Sequence, residues 1–183
     1  MNNTDPIEIC AYSDEWPGEF FAIGARMRQA LGEMALRIDH IGSTAIPDLA
    51  AKPIIDIQIS VASLEPVDPY RQALESIGYF WREGNPDLSK RYFRERPGAK
   101  RTHIHVRKLG SWHQQFSLLF RDYVRLHARD RQKYEGVKRM LAEQFRRDRQ
   151  AYVDAKKPIF WEIIARANDW AAATGWEPGP SDA

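Results

Sequence analysis

Cysteine is almost absent from this chain. Cys10 is the only one, so no disulfide can close within the chain and the paired cysteines of a zinc finger are missing. No apolar run reaches membrane-spanning length, and Met1 to Pro6 is too polar for a signal peptide, so the expected location is the cytoplasm with no membrane partner. A strong charge of either sign is missing too. The net charge is +2, which selects no class of partner and disfavours nucleic acid as the main one. Internal repeats and long low-complexity segments are also absent.

What is present suits a compact fold. The chain has 183 residues, 43% of them hydrophobic and 28% charged, enough for a sizeable core beneath a solvated surface. The expected fold class is α+β, a mixed β-sheet with packed helices. Residues 1–110 read as an α/β core and 111–174 as a helical part packed on it. Residues 175–183, with Pro178, Gly179 and Pro180, read as a flexible tail.

The stretch from His40 to Val61 holds the main functional signal. Two apolar strand-like runs flank a turn of small residues that starts at Gly42-Ser43. Alternation places Ile55, Ile57, Ile59 and Val61 on one face of the second run, and Ile54, Asp56, Gln58 and Ser60 on the other. A carboxylate among isoleucines is costly to bury without partners. It meets a metal, a cationic side chain or a substrate, or it is a structural Asp held by backbone groups or an arginine. Glycine permits close backbone approach, and a Gly-Ser turn offers N–H groups and a hydroxyl to phosphate oxygens. A nearby carboxylate can hold a divalent cation against the same phosphates.

This Gly-Ser, spacer, Asp arrangement resembles the nucleotidyltransferase fold. More narrowly, Ile41-Gly42-Ser43-Thr44-Ala45-Ile46-Pro47 together with Ala51-Lys52-Pro53-Ile54-Ile55-Asp56-Ile57 resembles the GrpB family of that superfamily. His103-Ile104-His105-Val106 and Phe120-Arg121-Asp122-Tyr123 fit the same family in the same order. The resemblance spans roughly residues 7–170. It implies metal-dependent transfer of a nucleoside monophosphate from a nucleoside triphosphate, with ATP favoured, to an unknown small-molecule or protein acceptor. The same fold also serves as a non-catalytic nucleotide- or effector-binding module. Gly42, Ser43 and Thr44 would meet the phosphates and Asp56 the cation. The superfamily pairs its Asp with a second carboxylate two residues on; here that position is Gln58.

The rest of the chain supplies further candidates. Residues 7–12 read as a short strand, and Asp14 as the cap of a helix to about Met34 with Trp16, Phe20, Ile23, Met27, Leu31 and Met34 on one buried stripe. His40 reads as a residue holding the turn through a hydrogen bond, or as a ligand contact. Lys52 reads as a phosphate contact or a solvated lysine. A helix is expected over 67–77, strands over 79–83, 90–95 and 101–107, and helices over 112–127, 130–153 and from Lys157. Residues 90–108 are strongly basic, and Arg91 and Arg94 join Arg121 and Lys157 as candidates to neutralise triphosphate oxygens. Tyr123 is a candidate for the base or acceptor pocket. On the 101–107 strand, His103 and His105 point the same way, a spacing that serves one metal or phosphate site, or simply an exposed edge. If they complete the Asp56 site, the preferred cation moves from magnesium towards manganese or zinc. On the 130–153 helix, Lys138 falls with Arg131 and Arg139 on a charged face that reads as salt-bridged and solvated.

Overall fold

The computed structural model describes residues 6–183, and its architecture follows from the alternation noted above. Five strands form one mixed sheet: β1 (Arg37–Ile41), β2 (Ile55–Val61), β3 (Tyr79–Trp81), β4 (Arg91–Glu95) and β5 (Thr102–Lys108). Their spatial order is β1-β2-β5-β4-β3, with β2 and β5 parallel and all other neighbours antiparallel. The fold is therefore α+β, as the sequence implied. The strand expected over 79–83 stops at Trp81, after which Arg82 N–H bonds Tyr92 O and the chain turns.

One face of β2 is apolar and covered first. Ile55, Ile57, Ile59 and Val61 pack with α1 (Glu15–Leu31) and α2 (Asp68–Ser76) in the largest core cluster. Trp16, Phe20, Ile23, Met27 and Leu31 are the buried stripe of α1, at the three- and four-residue spacing of one helix face. Gly32, at φ 53°, ends that helix before a short 3-10 turn over Gly32–Met34, earlier than expected. Asp14 makes no capping bond; the Ser13 hydroxyl accepts from Glu15 N–H instead.

The opposite face lies under α3 (Trp112–Leu126), which packs with α4 (Ala128–Gln144) and α6 (Lys157–Thr174), while α5 (Arg149–Ala155) packs on α4 and α6. Ile46 and Leu49, from the loop between β1 and β2, enter the helical core with Phe120, Tyr123, Ile163 and Ile164. Residues 130–153 were expected as one helix and are two. Phe145 leaves helical geometry (ψ 38°), and Asp148 caps a new helix by accepting from Ala151 N–H at 2.9 Å. Residues 7–12 make only one bridge, between Cys10 and Ala51, because Ile7 N–H bonds Arg146 O at the end of α4. Residues 175–183 do not project freely. Ser181 Oγ accepts from Ile38 N–H at 2.8 Å, Asp182 Oδ2 from His40 N–H at 2.9 Å, and Ala183 N–H donates to Ile38 O, so this stretch lies along the outer edge of β1. Among the described residues no helix is long and apolar enough to cross a membrane.

Candidate functional site

Strand register assembles the site. Antiparallel pairing sets Ile41 opposite Asp56, and parallel pairing sets Asp56 beside His103 and Gln58 beside His105. Paired residues project to the same face, so one carboxylate and two imidazoles from segments 47 residues apart in sequence meet there. His103 Nδ1 lies 2.9 Å and His105 Nε2 3.8 Å from Asp56 Oδ1. Tyr92 on β4 packs edge-on against His103 and at a tilt against His105, which fixes both rings.

The turn before β2 is built to approach this carboxylate. Gly42 has φ 72° and ψ −170°, a region essentially closed to other residues. A Cβ placed there would lie 2.5 Å from Asp56 Oδ2. Ser43–Ala45 then makes a single 3-10 turn. Thr44 Oγ1 donates to Ile54 O at 3.1 Å and lies 3.0 Å from His40 Nε2. Its one proton is committed to Ile54, so His40 is the donor through Nε2–H. Burial pushes the His40 imidazole down to about 3, which keeps it neutral, and its ring stacks on Phe20 at 4.7 Å. His40 thus holds the turn from behind and does not line the cavity.

Burial alone would favour the protonated carboxyl of Asp56. The adjoining His103 and His105 outweigh it and hold that carboxyl well below the usual carboxylate range. Burial pushes His105 down to about 4, although the Asp56 carboxylate, as acceptor and as negative charge, favours the protonated ring. Near neutral pH the cluster therefore offers an anionic oxygen and a neutral His105 ring. The Asp56 side chain is 27% exposed, so it opens outward rather than into the core.

It opens into a cavity of about 340 Å³ between the sheet and the helices. The facing wall carries Lys52, Lys138 and Lys156 with Tyr134 and Tyr152. Lys138 Nζ lies 4.9 Å from the Tyr134 ring centre and Lys52 Nζ 5.3 Å from that of Tyr152; Lys156 lies 5.9 and 5.7 Å from the two rings. Lys138 is 2% exposed, correcting its expected place on a solvated face. It donates to Ala50 O and lies 3.1 Å from Ser43 Oγ. Burial, then the charge of Lys156, pushes Lys138 down to about 7, and the same two causes push Lys52 down to about 8. Asp56 is the one acid among the described residues lining this cavity.

The cavity gathers Gly42, Ser43, Thr44, Lys52, Asp56, His103 and His105 from the sequence candidates, and not the others. Arg91 pairs with Glu65 at 2.6 Å and Arg94 with Glu95 at 2.9 Å. Arg121 is buried between Asp122, Asp182 and His40 O. Tyr123 donates to Asp130 at 2.7 Å within the helical core, and Lys157 pairs with Asp154 at 2.6 Å. Gln58, in the place of a second carboxylate, is sealed under α3 and donates to Gln114 O at 3.1 Å. Its cross-strand neighbour Asp39 is buried and gripped by Arg37. The residues missed from sequence carry a signal in hindsight. Tyr134-x-x-x-Lys138 and Tyr152-x-x-x-Lys156 repeat one pattern, and a four-residue spacing stacks ring and amine on one helix face.

Comparison with known proteins finds relatives of the chain and of its fold. A dephospho-CoA kinase of Mycolicibacterium paratuberculosis is 36% identical over 198 residues, covering 94% of this chain but 49% of that protein. The chain thus spans about half the length of that relative. UPF0157 protein BH1888 of Halalkalibacterium halodurans is 38% identical over 162 residues, covering 88% of this chain and 83% of that protein. The crystal structure of the conserved protein GrpB from Enterococcus faecalis superposes with a TM-score of 0.77 at 30% identity, over 87% of this chain and 98% of that one. The Cid1 poly(U) polymerase with MgGTP bound shares the fold at a TM-score of 0.52 and 14% identity, over 74% of this chain and 44% of its own. The family model described as GrpB protein matches residues 6–166, and this chain belongs to that family.

Proposed function

We propose that this protein transfers a nucleoside monophosphate from a nucleoside triphosphate, with ATP the favoured donor, to an acceptor hydroxyl, using a divalent cation. One observation carries the reading: a carboxylate with two imidazoles faces three lysines across a single cavity. The donor set fits a cation. One ligand atom from each of Asp56, His103 and His105 lies within 4.8 Å of the others. Nε2 of His103 and Nδ1 of His105 are buried without hydrogen-bond partners. Two imidazoles favour manganese or zinc over magnesium. A bound cation supplies charge neutralisation and polarisation at the α-phosphate.

The remaining work falls to the chain itself. The Gly42 main chain lets phosphate approach the Asp56 carboxylate, and Lys52 and Lys156 neutralise the departing pyrophosphate. Phe120 and Phe160, which also line the cavity, offer the nucleoside an aromatic surface where Tyr123 does not. Manganese titrated into the wild type should fill a site that weakens more than about a hundredfold in a His103→Ala, His105→Ala double variant. Equal binding by both proteins would remove the cation from the reading.

A second reading keeps the cradle without turnover. Sealed Gln58 favours it, because the site then holds one carboxylate where two-metal chemistry needs more. Release of pyrophosphate from ATP in the presence of manganese and a metabolite panel separates the two, since only the enzyme produces it.

A further inference from the structure

We infer that Ser43 is itself an acceptor: its Oγ, 3.1 Å from the Lys138 amine in the cavity that Asp56 enters, takes a nucleotidyl group and becomes a serine–nucleotide phosphodiester. This rests on the nucleotide reading above and names the hydroxyl that reading leaves open.

Three features separate this serine from an ordinary turn hydroxyl. It follows Gly42 directly, whose main chain abuts the Asp56 carboxylate, and it lines the same cavity as Asp56, His103 and His105. Its partner is a lysine almost wholly withdrawn from water, whose amine meets Ser43 Oγ and Ala50 O. A solvated lysine would stay protonated. Here burial and Lys156 favour the neutral amine, Arg139 and Lys52 act the same way, and Glu135 opposes them. A neutral amine can donate one N–H to Ala50 O and turn its lone pair to the Ser43 hydroxyl. Buried amines beside a serine hydroxyl are the arrangement that makes a weak nucleophile useful.

The step balances without any further reagent. The Ser43 Oγ proton passes to Lys138 Nζ, which becomes an ammonium. The Oγ–Pα bond forms, the bond from Pα to the bridging oxygen of the β-phosphate breaks, and pyrophosphate leaves with that electron pair. Lys52 and Lys156 are the cations on the wall it would meet.

The test uses the full chain with ATP and manganese. Intact mass and peptide mapping read the adduct, and equilibrium dialysis with α-labelled ATP reads binding separately. The expected result is a mass gain of one adenylyl group on the peptide containing Ser43, absent in Ser43→Ala. Lys138→Arg keeps a donor for Ala50 O but cannot accept a proton, and should slow labelling about 10²–10⁴-fold. Lys138→Met checks that the loss does not come from the bulk of arginine. Bound ATP without an adduct, an adduct at another residue, a phosphoryl gain, or wild-type labelling rates in both lysine variants would each overturn the proposal while leaving the nucleotide reading standing. Absence of ATP binding would remove both.

Discussion

Gly42→Ala should lose cation binding and unfold more easily than the wild type. Two costs combine at this position. The backbone sits at φ 72° and ψ −170°, where an L side chain carries strain of about 1–3 kcal/mol. The new methyl would also press to 2.5 Å from Asp56 Oδ2, closer than real contacts allow, and to a tight 3.0 Å from its Cβ and Cγ. Relief requires moving either the turn or the carboxylate, and moving the carboxylate breaks its 2.9 Å contact with His103. A urea midpoint and a manganese titration read the two consequences separately. Gly136→Ala is the matched control. Gly136 lies inside α4 with open space around its Cα, and the substitution there should stabilise by up to about 1 kcal/mol. A Gly42→Ala protein that binds manganese like the wild type would show that the turn does not shape the site.

Acid should weaken the fold well above the range where carboxylates titrate, and His40 should be the main reason. In the unfolded chain a histidine takes up its proton near 6.5, whereas burial holds folded His40 at about 3. Between these values the unfolded state binds a proton that the folded state refuses. Stability is therefore complete above about pH 6.5 and falls as pH drops towards 3, by a ceiling of about 5 kcal/mol. His105, pushed down to about 4, adds in the same direction. The cause is geometric: His40 Nε2–H is donated to Thr44, the ring is stacked on Phe20, and Arg125 and Arg121 lie close enough to oppose a second charge. Urea midpoints at pH 7, 5.5 and 4.5 should fall steeply for the wild type and less steeply for His40→Gln, which keeps a donor for Thr44 but cannot titrate. Parallel slopes for the two proteins would place the acid sensitivity elsewhere.

The sheet was legible because strand alternation is a local property. Ile55, Ile57 and Ile59 against Asp56 and Gln58, and Ile104 against His103 and His105, fix which faces are buried without knowledge of any neighbour. The half of the cavity built from strands and the Gly-Ser turn could be read in the same way. The helical half could not, because a basic residue on a helix has two destinies that local spacing does not separate. Arg91, Arg94, Arg121 and Lys157 find carboxylate partners outside the cavity, while Lys138, on a face with Glu135 and Arg139, is drawn inward by Tyr134 and Ala50 O. That choice is made by packing of α4 on the loop between β1 and β2, which pairs residues almost ninety positions apart. The break at Phe145 was hidden for a related reason: periodicity continues across it, and only the Asp148 cap marks the restart.

If the cluster binds a cation as proposed, the side-by-side alignment of β2 and β5 also makes ion uptake a gauge of correct folding. Sliding either strand by one position would turn both imidazoles, or the acid, to the isoleucine side and abolish the cluster. Such parallel neighbours are joined only through a long crossover, so their contact is among the slower ones to form. A refolding chain should accordingly regain helical signal before it regains affinity for manganese, and the lag between the two would time the moment at which the central strands lock.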